Sequence, residues 1–519
     1  MVLSPLQLDA ELATIIIALA CGVVIGSAVT AVRFIRQFSS KTFSPPLPYL
    51  PSCVPVVGNT LALACNMSRY HQWLADHALS RDGNPFALHL LGKNDVMYLS
   101  RPEHFEEILK AQNSNFIKSD SIREIFDDFL GESIVLLNGE LWHFHRKVFA
   151  NLITTKALRE YMTPVIKEKM LFLQNVLREA SKKKQSLDMY KLMRQFTLDT
   201  FTEIGLGCKL ELLTSVNEHP FELAFDDANR ISSERFTKPT WLWKFQRYLN
   251  IGSERRLREA IDEVDKFIVD LIMNAMGQVK RTKAEEAEDH PMFKNIMAIL
   301  LSKKETIAPT QVRDIVLTGL EAGRNTTSDT LAWFFHSLSH HPQVETKLRT
   351  EVVSRLPKLT ESDCYVPSYE EIQDLPYLEA TIREVFRLHP SVPSIPYHCR
   401  RDAVLQDGTF IPAGMDVFLH LYAAGRLPSL WGADAAEFVP ERFIDTNTGK
   451  LLPEKYSPFS SGHRICVGRN LAMLELKIAI ATIVSRFHLS EAPGQDVQPI
   501  LDITLTMKNA LIMSVDEVK

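Results

Sequence analysis

Apolar residues fall into two regimes along this chain. Leu12 to Val32 is an almost unbroken apolar run, whereas from about Leu61 onward apolar and polar positions recur mostly with helical spacing. The spacing predicts helices over Ala157–Ala180, Met189–Ile204 and Arg256–Met276. It also predicts a long helix from Pro309, a residue suited to a first helical turn, to about Ser339. Strand-like pieces are short: Phe86–Leu91, Val96–Leu99 and Val417–Leu421, with a proline-punctuated extended stretch at Val392–Tyr397. Val135–Leu137 followed by Gly139 marks a turn before another helix. The charged segment from Gln278 to His290 reads as a solvated loop.

The Leu12–Val32 run has roughly the 20 residues that a bilayer crossing needs. Asp9 and Glu11 precede it, and Arg33, Arg36 and Lys41 follow, which places the N-terminus in a lumen and the bulk of the chain in the cytoplasm. A cleaved signal peptide would have a shorter apolar core and its basic residues on the other side. Pro45, Pro46, Pro48, Pro51 and Pro55, closed by Gly58 and Asn59, form a stiff extended hinge. The expected organisation is therefore an anchor with a basic flank over 1–44, a hinge over 45–59 and a globular domain over 60–519.

Composition narrows the function by exclusion. Of 519 residues 45% are hydrophobic and 23% charged, and the net charge is −5, so nothing points to nucleic acid. The seven cysteines are odd in number and scattered, with no Cys-x-x-Cys pair. That argues against zinc ribbons and redox dithiols and fits a reducing, cytosol-facing protein. Asn66-Met67-Ser68 and Asn325-Thr326-Thr327 match the glycosylation pattern by chance on such a topology.

One cysteine stands out. Cys466 lies between Gly462 and Gly468, with Phe459 and Arg464 before it and a helix-forming run, Asn470 to Arg486, behind it. A loop entering a helix N-terminus offers free N–H groups that favour a thiolate. Gly462 permits a tight turn, and Gly468 lets backbone approach a flat ligand. Arg464 would reach an anion, and Phe459 would keep water away. A lone thiolate of this kind suits an axial position on haem iron.

Other segments carry chemistry with a bland reading beside it. Trp142 and Arg146 share a helix face, so Trp142 can pack flat on a large ring while Arg146 meets a carboxylate, or both can be surface residues. In the long helix, Gly323 costs about 1 kcal/mol relative to Ala, so another group must approach closely there: a small ligand, or a second helix. Thr326 and Thr327 can bond the carbonyls one turn back and widen the helix. Glu384 and Arg387 sit three residues apart on a helix ending at His389-Pro390.

Taken together these segments resemble the cytochrome P450 family, over roughly residues 45 to 515. The landmarks run in family order: Trp142/Arg146, Ala322–Thr327, Glu384/Arg387, Pro440-Glu-Arg-Phe443, and Phe459 to Gly468. The resemblance implies a mainly α fold with a small β-rich lobe, holding haem b (iron protoporphyrin IX) between the long helix and the Cys466 loop. It implies that Cys466 is the axial ligand, whose donation favours O–O cleavage. Trp142, Arg146, Phe459, Gly462, Arg464 and Gly468 then hold the cofactor, with Arg400 or Arg401 meeting a propionate. Ala322, Gly323, Asn325 and Thr326 fall on the oxygen-activation motif. Asn325 departs from the family pattern, which has an acid there. Glu321, one turn earlier, either supplies part of the missing acid or points to another helix or solvent. By resemblance Glu384, Arg387 and Arg442 form a buried triad, and loss of one member leaves a buried charge unpaired.

The activity so implied is monooxygenation of a lipophilic substrate. Electrons come from a separate NADPH–cytochrome P450 reductase, with cytochrome b5 as an additional donor, docking on a basic face that includes Arg146, Lys147 and Arg469. The implied location is the endoplasmic reticulum membrane, single-pass, in contact with lipid and with the catalytic domain cytoplasmic. Tyr422–Phe443, with Gly425-Arg426 and Trp431-Gly-Ala-Asp434, resembles the fatty-acid and alkane hydroxylase group. That makes a long-chain fatty acid, hydroxylated at or near its end, the expected substrate. Two alternatives stand: a sterol, terpenoid or xenobiotic substrate, or a reductase-independent isomerase or dehydratase of lipid hydroperoxides.

Overall fold

The computed structural model describes residues 46–54, 57–214, 219–284, 295–301 and 307–518. The apolar run at 12–32 expected to cross a membrane lies outside them, as do Pro45, Pro55 and residues 285–290 of the charged segment. No helix among the described residues is long and apolar enough for a membrane crossing.

Helices dominate, as the 3.6-residue spacing requires. Those that build the site are α1 (Gly139–Leu152), α2 (Met189–Leu206), α3 (Pro220–Glu234), α4 (Pro309–Ser339), α5 (Pro376–Leu388) and α6 (Arg469–Arg486). Pro309 stands at the first turn of α4, where its missing N–H has no helical partner to lose. Asp188 caps α2 by accepting from the Lys191 N–H, and Gly207 ends it in the left-handed region. The helix read over residues 157–180 is broken at its start, where Leu158–Met162 widens into a π turn before Thr163–Lys183.

One apolar cluster unites Phe196 and Ile204 of α2, Leu317 and Phe334 of α4, and Leu474 and Ile478 of α6. Each such side chain, when fully buried, is worth about 1.5–3 kcal/mol. Buried on nearly every side, α4 is the spine of the molecule.

A five-stranded sheet forms the smaller lobe: β1 (Phe86–Leu88), β2 (Val96–Leu99), β3 (Phe116–Ile117), β4 (Ile395–Cys399) and β5 (Asp416–Leu419). Its spatial order is β1-β2-β5-β4-β3. The β2–β5 pair is parallel and aligns Val96 with Asp416; the other three pairs are antiparallel. A second sheet pairs β6 (Phe487–Glu491) with β7 (Ile512–Glu517), which also meets the short strand Leu187–Asp188. The fold is thus mainly α with a small β-rich part.

Behind the site, α5 carries an ion cluster in which Glu384 and Arg387 are fully buried and Arg442 partly so. Arg387 donates from Nε to Glu384 Oε2 and from a terminal nitrogen to Oε1, both at 2.7 Å. Arg442 Nε donates to the same Oε1 at 3.0 Å, and the Val439 N–H does so at 2.7 Å. Arg387 also reaches the carbonyls of Gly425, Ala435 and Glu437, so each of its nitrogens has a partner. Trp431 lies under the Arg387 guanidinium at 5.3 Å and donates to Ala424 O at 2.9 Å. The Trp431 segment therefore closes this cluster.

Candidate haem-thiolate site

The cysteine loop is shaped by contacts from far along the chain. Gly462 has φ +63, and a Cβ there would lie 2.4 Å from the Leu109 carbonyl oxygen. Only glycine fits this turn, for conformation and for space. The Cys466 N–H donates to Phe459 O at 2.8 Å and closes the loop. Phe459 is held edge-on by Phe386 of α5, with ring centroids 5.2 Å apart. Gly468 precedes α6 in an ordinary helical conformation, and the atom nearest to a Cβ placed there is the Cys466 sulfur, at 3.8 Å. Its protein surroundings and its conformation would both accept alanine.

Cys466 sits within the fold, yet its side chain is exposed, so the thiol faces a hollow. Burial pushes the thiol up, while the N–H groups of Gly468 and Arg469 and the charge of Arg146 pull the other way. Those N–H groups belong to the start of α6, where the helix dipole favours negative charge.

A group of cations lies beside the loop. Arg464 lies over the Trp142 ring at 4.3 Å, with Arg146 at 5.5 Å. Arg146 donates to Ile465 O at 2.8 Å, and Arg464 to Leu137 O at 2.8 Å and Asn138 Oδ1 at 3.0 Å. The buried Lys118 donates to Pro396 O at 3.0 Å and lies 4.1 Å over the Tyr397 ring. Burial, aided by the charge of Arg464, lowers Lys118 to about 7. Among the described residues none of these three cations has a carboxylate partner. Unpaired positive charge inside a protein is costly, so the group calls for an anion. A flat ring bearing carboxylates, set against an interior thiol, meets both demands, and the residues present fit haem.

Trp142 gives a ring face to Arg464 and serves as a platform for cations. Arg400 and Arg401 have exposed side chains on the turn after β4, where Asn115 holds the backbone, and neither joins the group around Trp142. Lys118, which the sequence analysis passed over, joins it instead. Arg146 is half-buried and committed to the loop, whereas Lys147 is exposed.

On α4 the exposed Ala322 and half-exposed Gly323 and Thr326 interrupt an otherwise buried helix. The Thr326 hydroxyl donates to Ala322 O at 2.7 Å, as expected, and a second such bond comes from Thr330 to Thr326 O, also at 2.7 Å. Of the two readings of Gly323, a small ligand or a second helix, the helix contact is the one present. A Cβ there would lie 2.2 Å from the Phe201 ring, and one on Gly319 would lie 2.8 Å from it. The glycines let α2 pack against α4.

Glu321 and Asn325 are both buried and bonded to each other. Asn325 Nδ2 donates to the two Glu321 oxygens at 3.2 and 3.1 Å, and Asn229 of α3 donates to Oε2 at 2.8 Å. Burial raises Glu321 to about 7 against these hydrogen bonds. Arg324 donates to Asn325 Oδ1 at 3.0 Å and to Asp226 Oδ1 at 2.8 Å, and Arg194 also pairs with Asp226. Glu321 thus starts a polar chain that reaches the half-exposed Asp226. Asn229 and Asp226 carry no mark in the sequence.

An interior thiol loop, a long helix opened beside Thr326 and a cation group seeking carboxylates define a haem-thiolate protein. A family profile described as Cytochrome P450 matches residues 48–513. Cytochrome P450 94A1 of Vicia sativa is 34% identical over 86% of this chain and 87% of its own length. Cytochrome P450 704B1 of Arabidopsis thaliana is 31% identical over 95% and 98%, and Cytochrome P450 86B1 of the same plant 30% over 89% and 84%. The chain belongs to the cytochrome P450 family and is a monooxygenase with a haem-thiolate cofactor.

Proposed function

We propose that this P450 hydroxylates long-chain fatty acids at or near the chain end, with Cys466 as the haem ligand. The observation that carries the substrate reading is a cavity of about 360 Å³ between the sheet and the helices Asp120–Leu130 and Thr240–Leu249. Val96, Ile122, Ile125, Phe236 and Phe418 give it apolar walls, and Lys93, Glu124 and Asp416 also line it. The Lys93 ammonium donates to Arg235 O at 2.7 Å and has no ion pair among the described residues. Burial lowers Lys93 to about 8, and the fields of Asp416 and Glu124 oppose that, so it stays charged at neutral pH. Lys93 is the one Lys or Arg in that lining, so it is the group that would meet an alkyl chain ending in a carboxylate there.

The haem supplies oxygen activation and accepts electrons. The chain does the rest. Lys118, Arg146 and Arg464 hold the cofactor's carboxylates, and Thr326 and the Glu321–Asn325 pair hold protons on the oxygen side. Electrons arrive from NADPH–cytochrome P450 reductase, or through cytochrome b5, at a face that includes Lys147 and Arg469. The run at 12–32 anchors the enzyme in the endoplasmic reticulum membrane with this domain in the cytoplasm.

The test is turnover of lauric to oleic acids with and without NADPH and reductase, together with Soret shifts for each acid and its matching alcohol. Hydroxylated acid that requires reductant, and an acid preference lost in Lys93→Met, support the reading. Equal affinity for acids and alcohols in the wild type would overturn the carboxylate anchor. Product without reductant would overturn the reaction.

A further inference from the structure

Two histidines one helical turn apart close the end of α4. His336 lies in its last turn and His340 caps it. Positions i and i+4 share a helix face, so both imidazoles look the same way. Glu491, the last residue of β6, meets them there. Its Oε2 is 2.6 Å from Nδ1 of His336 and 3.9 Å from Nδ1 of His340. The rings stand 4.8 Å apart between centroids. One donor atom from each of the three residues lies within 4.8 Å of the other two, and no other trio of His, Cys, Asp or Glu among the described residues does this.

A hydrogen bond between His336 and Glu491 explains one imidazole at this carboxylate. It does not explain the second. His340 Nδ1 also lies 2.8 Å from His336 O, a contact that fixes its ring against the helix end. Glu491 is 12% exposed and His340 53%, so the trio is sunk at one side and open at the other. The C-terminal end of α4 adds negative potential and favours a cation.

We propose that His336, His340 and Glu491 bind one divalent transition metal of the zinc class. Two imidazole nitrogens and a carboxylate oxygen are a common zinc donor set, with water in the fourth position. Ligands about 2.0–2.2 Å from a tetrahedral zinc lie about 3.3–3.6 Å from one another. The observed 2.6 and 3.9 Å lie on either side of that spacing, and seating the ion requires the His340 ring to turn away from His336 O. The ion ties α4, which carries Thr326, to the strand that leaves α6, the helix behind Cys466. Its role is a clamp between the two elements that frame the cofactor, outside the reaction itself.

The haem-loaded full-length enzyme, freed of metal by a chelator, is titrated with Zn²⁺ by calorimetry and with Co²⁺ by visible absorption. One saturable equivalent is expected, with a tetrahedral cobalt spectrum and a rise in Tm on adding Zn²⁺. His340→Ala, at a half-exposed position, and Glu491→Gln each weaken that equivalent by about tenfold or more and abolish the Tm rise. An unchanged reduced-CO spectrum in His340→Ala shows that the variant is folded. Unaltered zinc stoichiometry and affinity in His340→Ala, or no saturable equivalent in the wild type, would overturn the proposal.

Discussion

Asn325 donates its amide to both oxygens of Glu321, one turn back on the same helix, at 3.2 and 3.1 Å. The amide that replaces the family's usual acid is thus bonded directly to an acid. Burial raises Glu321 to about 7, so near neutral pH the carboxyl exchanges a proton readily, whereas an amide does not.

Glu321→Gln keeps the shape and the hydrogen bond to Asn325 but removes the proton. The expected result is uncoupling: less product per NADPH, with more reductant lost to peroxide, while the affinity of the resting enzyme for substrate is kept. Unchanged coupling across pH 6 to 8 would remove Glu321 from proton delivery.

Lys118 gives a prediction with two opposite signs. Lys118→Met takes an unpaired charge out of the interior, so the haem-free protein gains stability. The same change removes a partner for a cofactor carboxylate, so haem is lost faster to an acceptor such as apomyoglobin. An unchanged rate of haem loss would show that Lys118 does not meet the cofactor.

Gly323→Ala should destabilise by about 1–3 kcal/mol through overpacking against Phe201, beyond the about 1 kcal/mol that alanine gains in a helix. Phe201→Leu costs stability alone but relieves the clash, so the double variant is more stable than the two single losses sum to. Urea unfolding of all four proteins reads this coupling, and additivity within about 0.5 kcal/mol would refute the contact.

Glu475 on α6 is buried, with Oε1 unpartnered, and burial raises it to about 8 from its ordinary 4.5 against a bond from Thr200. Between those values the folded protein keeps a proton that the unfolded chain releases. Its contribution therefore falls as pH rises, by about 1.4 kcal/mol per pH unit through that window, and levels off above about pH 8. Glu475→Gln removes the slope, so the gain in Tm over the wild type should be larger at pH 8 than at pH 5.5. A constant difference would mean that Glu475 is ionised throughout.

Some of this site was legible in the sequence because its parts are local. Gly462, Arg464 and Cys466 fall within five residues, and Glu384 and Arg387 within one turn, so residue type and spacing suffice. The long helix was read from Pro309 to Ser339 because its cap and period agree. What escaped depends on partners far along the chain. Lys118 looks like any lysine until Tyr397 and Arg464 close around it. Asn229 gains meaning only where α3 crosses α4. Gly323 shows the same limit: its sequence signals that something comes close, but whether a ligand or the Phe201 ring does so is decided by the packing of α2. The two arginines at 400 and 401 could not be ranked, and the turn at Asn115 leaves both outside.

The cysteine loop touches residues from a much earlier part of the chain. Arg464 bonds Leu137 across 327 positions, Arg146 bonds Ile465 across 319, and Gly462 rests against Leu109. Contacts of such long separation form after local helices and close large loops of chain. The binding loop therefore takes its shape only once the first and last thirds of the polypeptide have met. Haem capture during biosynthesis then reports that the whole domain is assembled, and a truncated or misrouted chain carries the cysteine without the means to hold the iron.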